Sequence, residues 1–225
     1  MGKEVFCLQG QLDFIIERRT FPPDDLPLLT AQLRLPHWAG TGGKRFNRFY
    51  HAYSCAFFTY CQSILLPQAQ AMLKQAVQGE GTLPEWDIRL DTAVTLQQDG
   101  LVSLYTDTIE RCGGRPLSLR RSETWDISDG SLLPLKQLFP GGIRWRQRLL
   151  QAAAEQIHYQ QEQGIARYHP DWKRRLRAAF NPDHFYLTEQ GLRLFYQMYA
   201  IAPAAERIPV FAFPWDTVQG PRLPV

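Results

Sequence analysis

The spacing of apolar residues changes several times along this chain, and each change predicts an element. Gln11 to Thr20 (QLDFIIERRT) is rich in β-formers and stops at Pro22-Pro23, which suits a first strand. A proline-broken stretch through Leu33-Arg-Leu-Pro-His-Trp-Ala-Gly40 and the loop Thr41-Gly42-Gly43 follow. From Lys44 the spacing turns helical. Phe46, Phe49, Tyr50, Tyr53, Phe57, Tyr60, Cys61 and Ile64 recur at three- and four-residue steps, predicting a helix with an aromatic buried face. Pro67 is expected to interrupt it. Ala69, Met72, Leu73, Ala76 and Val77 then form a second stretch, closed by glycine at Gly79 and Gly81.

Alternation replaces this pattern after Pro84. Ile88, Leu90, Thr92, Val94 and Leu96 share one face of a strand, and Asp99-Gly100 turns the chain into Leu101 to Thr106. Leu117, Leu119, Arg121, Glu123, Trp125 and Ile127 predict the inward face of a further strand, with Ser118, Arg120, Ser122 and Thr124 outward. A helix is expected from Arg144 to about Gln163, with Trp145, Leu149, Ala152, Ala153, Gln156 and Ile157 on one stripe and Gly164 at its end. The basic amphiphilic segment Tyr168 to Phe180 suits another short helix. Phe185-Tyr-Leu and Leu192 to Tyr196 flank a turn at Glu189-Gln190-Gly191, and Ile208 to Phe213 reads as a proline-tolerant edge strand.

Helices and strands therefore arrive in blocks, with hairpin turns between strands. This predicts an α+β fold: an antiparallel sheet of hairpin-connected strands packed against helices. We read residues 1–225 as one domain, with a strand, helix and hairpin portion at 10–110 and a second portion at 111–215.

Composition narrows the functional classes. Apolar residues make up 44% and charged residues 21%, enough to bury a core without disulfide or metal staples. A net charge of +3 is too small to indicate a nucleic-acid protein, and none is expected as partner. No apolar run approaches a membrane span, and Met1 to Leu8 has no signal-peptide form. The sequence as written reads as cytoplasmic, or as extracytoplasmic if an anchor lies upstream. Cys7, Cys55, Cys61 and Cys112 contain no C-x-x-C and match no zinc spacing, so buried free thiols and no metal or cofactor are expected.

Possible chemistry is sparse. Thr41-Gly42-Gly43-Lys44 lacks the phosphate-loop spacing and suits a plain loop before a helix. His51 and Cys55 are four apart on the aromatic helix, so a thiolate pair is conceivable, but it needs a cleft and an orienting group. His37, His158, His169 and His184 stand alone, and no serine lies in a G-x-S-x-G elbow. Basic residues cluster at Arg144, Arg146 and Arg148 and at Lys173-Arg174-Arg175 with Arg177. Trp145, Tyr168, Trp172 and Phe180 lie beside them. That combination suits either an anionic-polymer surface or, more simply, a solvated helix face over packed aromatics.

The order of features from Thr124 onward is distinctive. Thr124-Trp125-Asp126-Ile127-Ser128-Asp129-Gly130 leads to Leu133-Pro134-Leu135-Lys136-Gln137-Leu138-Phe139. Asn181 to Leu192, Tyr199 to Ala205 and Ile208 to Trp215 follow. This series resembles the domain of unknown function that forms the C-terminal part of RsiV-type anti-sigma factors and accompanies PdaC-type polysaccharide deacetylases. Leu35-Pro36 and Phe46-Asn47 are similar to the companion region before it. The resemblance implies a bacterial recognition or sensor module without catalytic residues of its own, binding a lysozyme-like protein or a peptidoglycan-derived saccharide. Relatives often carry a histidine after a Gly-Gly pair; here Gly113-Gly114 is followed by Arg115-Pro116. Gly113, Gly114 and Arg115 are thus the candidate binding loop, and a tight turn is its simpler role. The alternatives are a hydrolase using His51, Cys55 or His184, and a nucleic-acid binder using the basic helices.

Overall fold

The β-forming run at the start becomes strand β1, Gly10–Phe21. It pairs antiparallel along its whole length with β2, Leu29–Gly40. The computed structural model describes residues 10–22, 27–79, 86–112, 116–141 and 144–215. β2 occupies the stretch where Pro36 argues against a strand, and its geometry explains why a proline fits. The amide of Trp38 points away from β1 and is taken by the Asn47 side chain, 2.8 Å away. Two residues earlier, position 36 faces the same side. β3, Trp86–Gln98, pairs with β2 only from Thr30 to Arg34, so Pro36 deprives no ladder of a donor. The alternation was present throughout: Leu29, Ala31, Leu33 and Leu35 are all buried.

α1, Lys44–Tyr60, follows the loop. Pro67 does not break the helical run as expected. A π-helical turn at Cys61–Leu65 leads directly into α2, Leu66–Val77, with Pro67 in its first turn. Leu66 N–H reaches back to Cys61 O across the wider turn. The extra residue lets the chain enter Pro67 as a fresh N-terminal position, where its missing N–H costs nothing. The helical run then joins β2 to a parallel β3, within a sheet whose strands otherwise follow one another in chain order.

β3 and β4, Leu101–Cys112, meet at Asp99 (φ 50°) and Gly100 (φ 83°), the paired positive φ of a tight hairpin turn. β5, Leu117–Asp126, and the short β6, Ser131–Leu132, complete a six-stranded sheet in sequential order. After a 3₁₀ turn at Leu135–Leu138 come α3, Trp145–Glu162, and α4, Trp172–Ala178. α4 is shorter than the basic segment suggested. β7, Phe185–Thr188, β8, Gly191–Phe195, and β9, Val210–Pro214, form a three-stranded antiparallel sheet with β9 at one edge. The architecture is α+β, with two mostly antiparallel sheets and helices.

The chain packs into two compact units. The first takes Met1–Thr92, Asp107–Leu117 and Asp126–Ser131; the second takes Ala93–Thr106, Ser118–Trp125 and Leu132–Val225. In the first, Phe46, Tyr50, Phe57 and Cys61 are buried with the Leu29 to Leu35 row of β2. In the second, Leu187, Leu192, Leu194, Phe211 and Phe213 join a core with Leu149, Ala153 and Ile157 of α3 and Leu176 of α4.

The sidedness of β5 follows expectation in its second half, where Glu123, Trp125 and Ile127 are buried, and departs from it in the first. Leu117 and Leu119 are exposed, at 37% and 45%, whereas Thr124 of the polar row is buried. That polar row meets the three-stranded sheet through hydrogen bonds. Ser122 Oγ donates to Phe185 O (2.5 Å), and Gln197 bonds both the N–H and the C=O of Arg120. Ser103 Oγ of β4 accepts the Leu187 N–H at 2.8 Å and lies 2.8 Å from Thr124 Oγ1. Arg120 is the centre of this layer, its guanidinium 3.7 Å from the Tyr105 ring.

Candidate functional site

α3 and α4 belong to the same core, and their outer flanks frame a groove of about 900 Å³. Helical phase decides what faces it. On α3, Leu149, Ala153 and Ile157 point into the core, so the residues one step round, Leu150 and Ala154, are left half-buried on the floor. Trp145 lies beside them, stacked on Phe139 at 5.8 Å between ring centres. Trp172 and Leu176 of α4 supply the rest of the floor. Gln147 and Gln151, one turn apart and both exposed, form one wall.

The rim is basic. Arg144, Arg146, Lys173 and Arg177 all line the groove and are exposed, and no described carboxylate lines it. None of the four forms a salt bridge with a described residue. Two are steadied by rings instead. The Arg146 guanidinium stands 5.0 Å from the Phe180 ring centre, and Lys173 Nζ stands 5.6 Å from that of Trp172. Neighbouring cations are withdrawn from the site. Asp171 binds Arg174 and Arg175 at 2.6 Å each, and those hydrogen bonds hold its carboxyl down at about 2. Four cations with no salt bridge among the described residues, around an apolar floor, give a surface suited to an amphiphilic anion.

Helix packing thus joins two clusters that are separate in sequence, Arg144/Arg146 and Lys173/Arg177, and leaves Arg148, Arg174 and Arg175 off the lining. Gln147, Leu150, Gln151 and Ala154 escaped the sequence reading. Their signal was there, as the flank of α3 next to the predicted buried stripe. Asp171, three and four residues before Arg174 and Arg175, likewise marked which cations would be spent locally.

The other candidates fare differently. Gly113, Gly114 and Arg115 lie outside the described residues. The Gly42-Gly43 loop has a packing explanation: a Cβ on Gly43 would sit 2.4 Å from the Trp38 side chain, whose Nε1 donates to Thr41 O. His51 Nε2 and Cys55 Sγ stand 3.9 Å apart, but both are exposed. No described carboxylate or amide orients the histidine. Cys55 is therefore not a buried thiol, whereas Cys61 is buried and Cys112 half-buried. Burial pushes the Cys61 and Cys112 thiols up to about 12 and about 11. His184 is stacked on Phe195 at 4.8 Å, with Nδ1 buried and unpartnered among the described residues. Among the described residues no three metal-ligating side chains converge. No described helix is long and apolar enough to cross a membrane.

With both helices of the groove placed, the chain can be set beside known proteins. Residues 136–216 match DUF3298, a family described as protein of unknown function. The matched residues hold both walls of the groove and the whole three-stranded sheet. Similarity of fold extends further. A crystal structure of a DUF3298 family protein from Pseudomonas aeruginosa PAO1 superposes with a TM-score of 0.58 at 17% identity, covering 96% of this chain and 95% of that one. One from Bacteroides fragilis NCTC 9343 gives 0.61 at 14%, covering 95% and 93%. At such identities the likeness concerns the fold alone, but it includes the strands and helices ahead of the matched residues. No curated protein matches the chain.

Proposed function

We propose that this protein is a non-enzymatic bacterial recognition or sensor module whose ligand sits in the groove between α3 and α4. The supporting observation is the makeup of that groove: exposed cations, an apolar floor, and, among the described residues, no lining carboxylate, histidine or thiol to act as nucleophile or base. Binding needs such a surface; hydrolysis needs groups it lacks. The resemblance of residues 124–215 to the C-terminal domain of RsiV-type anti-sigma factors supports the same reading. So does the resemblance to the companion domain of PdaC-type deacetylases. It suggests a protein such as lysozyme, or a peptidoglycan-derived saccharide. The rim adds that the part of the ligand reaching the groove is anionic.

Calorimetric titration with lysozyme, with muropeptides bearing free carboxylates, and with an acidic peptide tests the reading. Heat from at least one of them, reduced in the double variant Arg146→Ala/Arg177→Ala with the melting temperature unchanged, is the expected result. Silence from all three, or binding indifferent to the double variant, refutes it.

A further inference from the structure

We infer that the groove receives an acidic amphipathic helical segment of a partner protein, laid lengthwise along α3. This rests on the recognition reading above and names the partner's chemistry. The groove is a trough: on α3 its lining runs from Arg144 to Ala154, a helical length of about 15 Å. Its floor of Trp145, Leu150, Ala154 and Leu176 is apolar, so a ligand that is all charge would leave it uncovered. Its four rim cations stand on both walls, Arg144 and Arg146 on the α3 side and Lys173 and Arg177 on α4. An amphipathic helix matches this cross-section, with apolar side chains at three- and four-residue spacing on the floor and carboxylates flanking them on each side.

Other modes of binding fit less well. Strand addition requires an open sheet edge, and both walls are helices whose main-chain groups are bonded internally. Stacking of bases requires bare ring faces. Trp172 is only 5% exposed, with His158 edge-on at 5.1 Å and Lys173 over it, and Trp145 is already stacked on Phe139.

The test uses the full chain and a fluorescein-labelled synthetic helix of about 12 residues, long enough to fill the trough at 1.5 Å per residue. The helix carries leucine along one stripe and glutamate on both flanks. A scrambled peptide of equal composition, an oligogalacturonate and an oligothymidylate are titrated in parallel. The amphipathic peptide is expected to bind best. Its affinity should fall roughly tenfold or more in Arg146→Glu/Arg177→Glu and weaken with salt. Equal affinity for the scrambled peptide, or an unchanged affinity in the charge-reversed variant, overturns the inference. Binding of the saccharide or oligonucleotide without the peptide overturns it while sparing the groove as a recognition site. No binding by any probe overturns the inference and leaves the recognition reading to the lysozyme and muropeptide titrations.

Discussion

At the scale of single residues, amides of side chains do work usually left to strands. Asn47 bonds the Trp38 N–H through Oδ1 and the Trp38 C=O through Nδ2, at 2.8 and 2.9 Å. A primary amide offers the same donor and acceptor as a peptide group, so it can substitute for a missing strand beyond the reach of β3. Replacing Asn47 with Ala leaves both main-chain groups without that partner and is expected to cost about 1–3 kcal/mol in urea denaturation. His184 gives a second prediction. Burial holds its imidazole below the ordinary value of 6.5, partly countered by Asp183, so the unfolded chain binds a proton more readily. Its stabilising contribution is complete above about pH 6.5 and is lost as pH falls from there through the folded value. The melting temperature should decline from about pH 7.5 to 5, and more shallowly in His184→Phe, which keeps a ring against Phe195. Parallel slopes in the two proteins would contradict this.

At the scale of elements, Gln156 of α3 repeats the device. It bonds the Ala212 N–H and C=O at 3.1 and 2.9 Å, closing the outer edge of β9. Gln156→Leu is expected to lower the urea midpoint by an amount equivalent to about 1 kcal/mol and to raise light scattering, because an open edge templates association. Elements differed in how plainly the sequence declared them. The β3–β4 hairpin was legible because Asp99-Gly100 is one of few pairs that adopt positive φ twice. β2 was hidden by Pro36, whose tolerance depends on where a neighbouring strand stops pairing. β5 kept its predicted face only in its second half, where Glu123, Trp125 and Ile127 are buried, because alternation reports polarity and not cover. The partners that satisfy its polar row are distant in sequence: Gln197 lies 77 residues from Arg120, and Phe185 lies 63 from Ser122. The groove was half legible. Its cations were visible as clusters, but which of them remain unneutralised depended on Asp171 and on the packing of α4 against α3.

At the scale of the whole molecule, what the sequence declares well is the α+β class; what it conceals is the division of labour along the chain. Each compact unit is assembled from three separate stretches, and the path passes from one unit to the other at Thr92, Thr106, Leu117, Trp125 and Ser131. The unit that contains the groove needs 93–106 and 118–125 as well as everything from Leu132 onward. The family match begins only at residue 136. A fragment of residues 136–216 would keep both groove helices and lose Ser103, Ser122 and Arg120, the groups that engage β7 and the segment after β8. Such a fragment is expected to show no cooperative thermal transition by circular dichroism, whereas residues 10–215 should melt cooperatively; a folded fragment would contradict this. On that expectation the matched stretch is no autonomous piece of the molecule, and any transplant of the groove to another scaffold would have to carry residues 93–106 and 118–125 along.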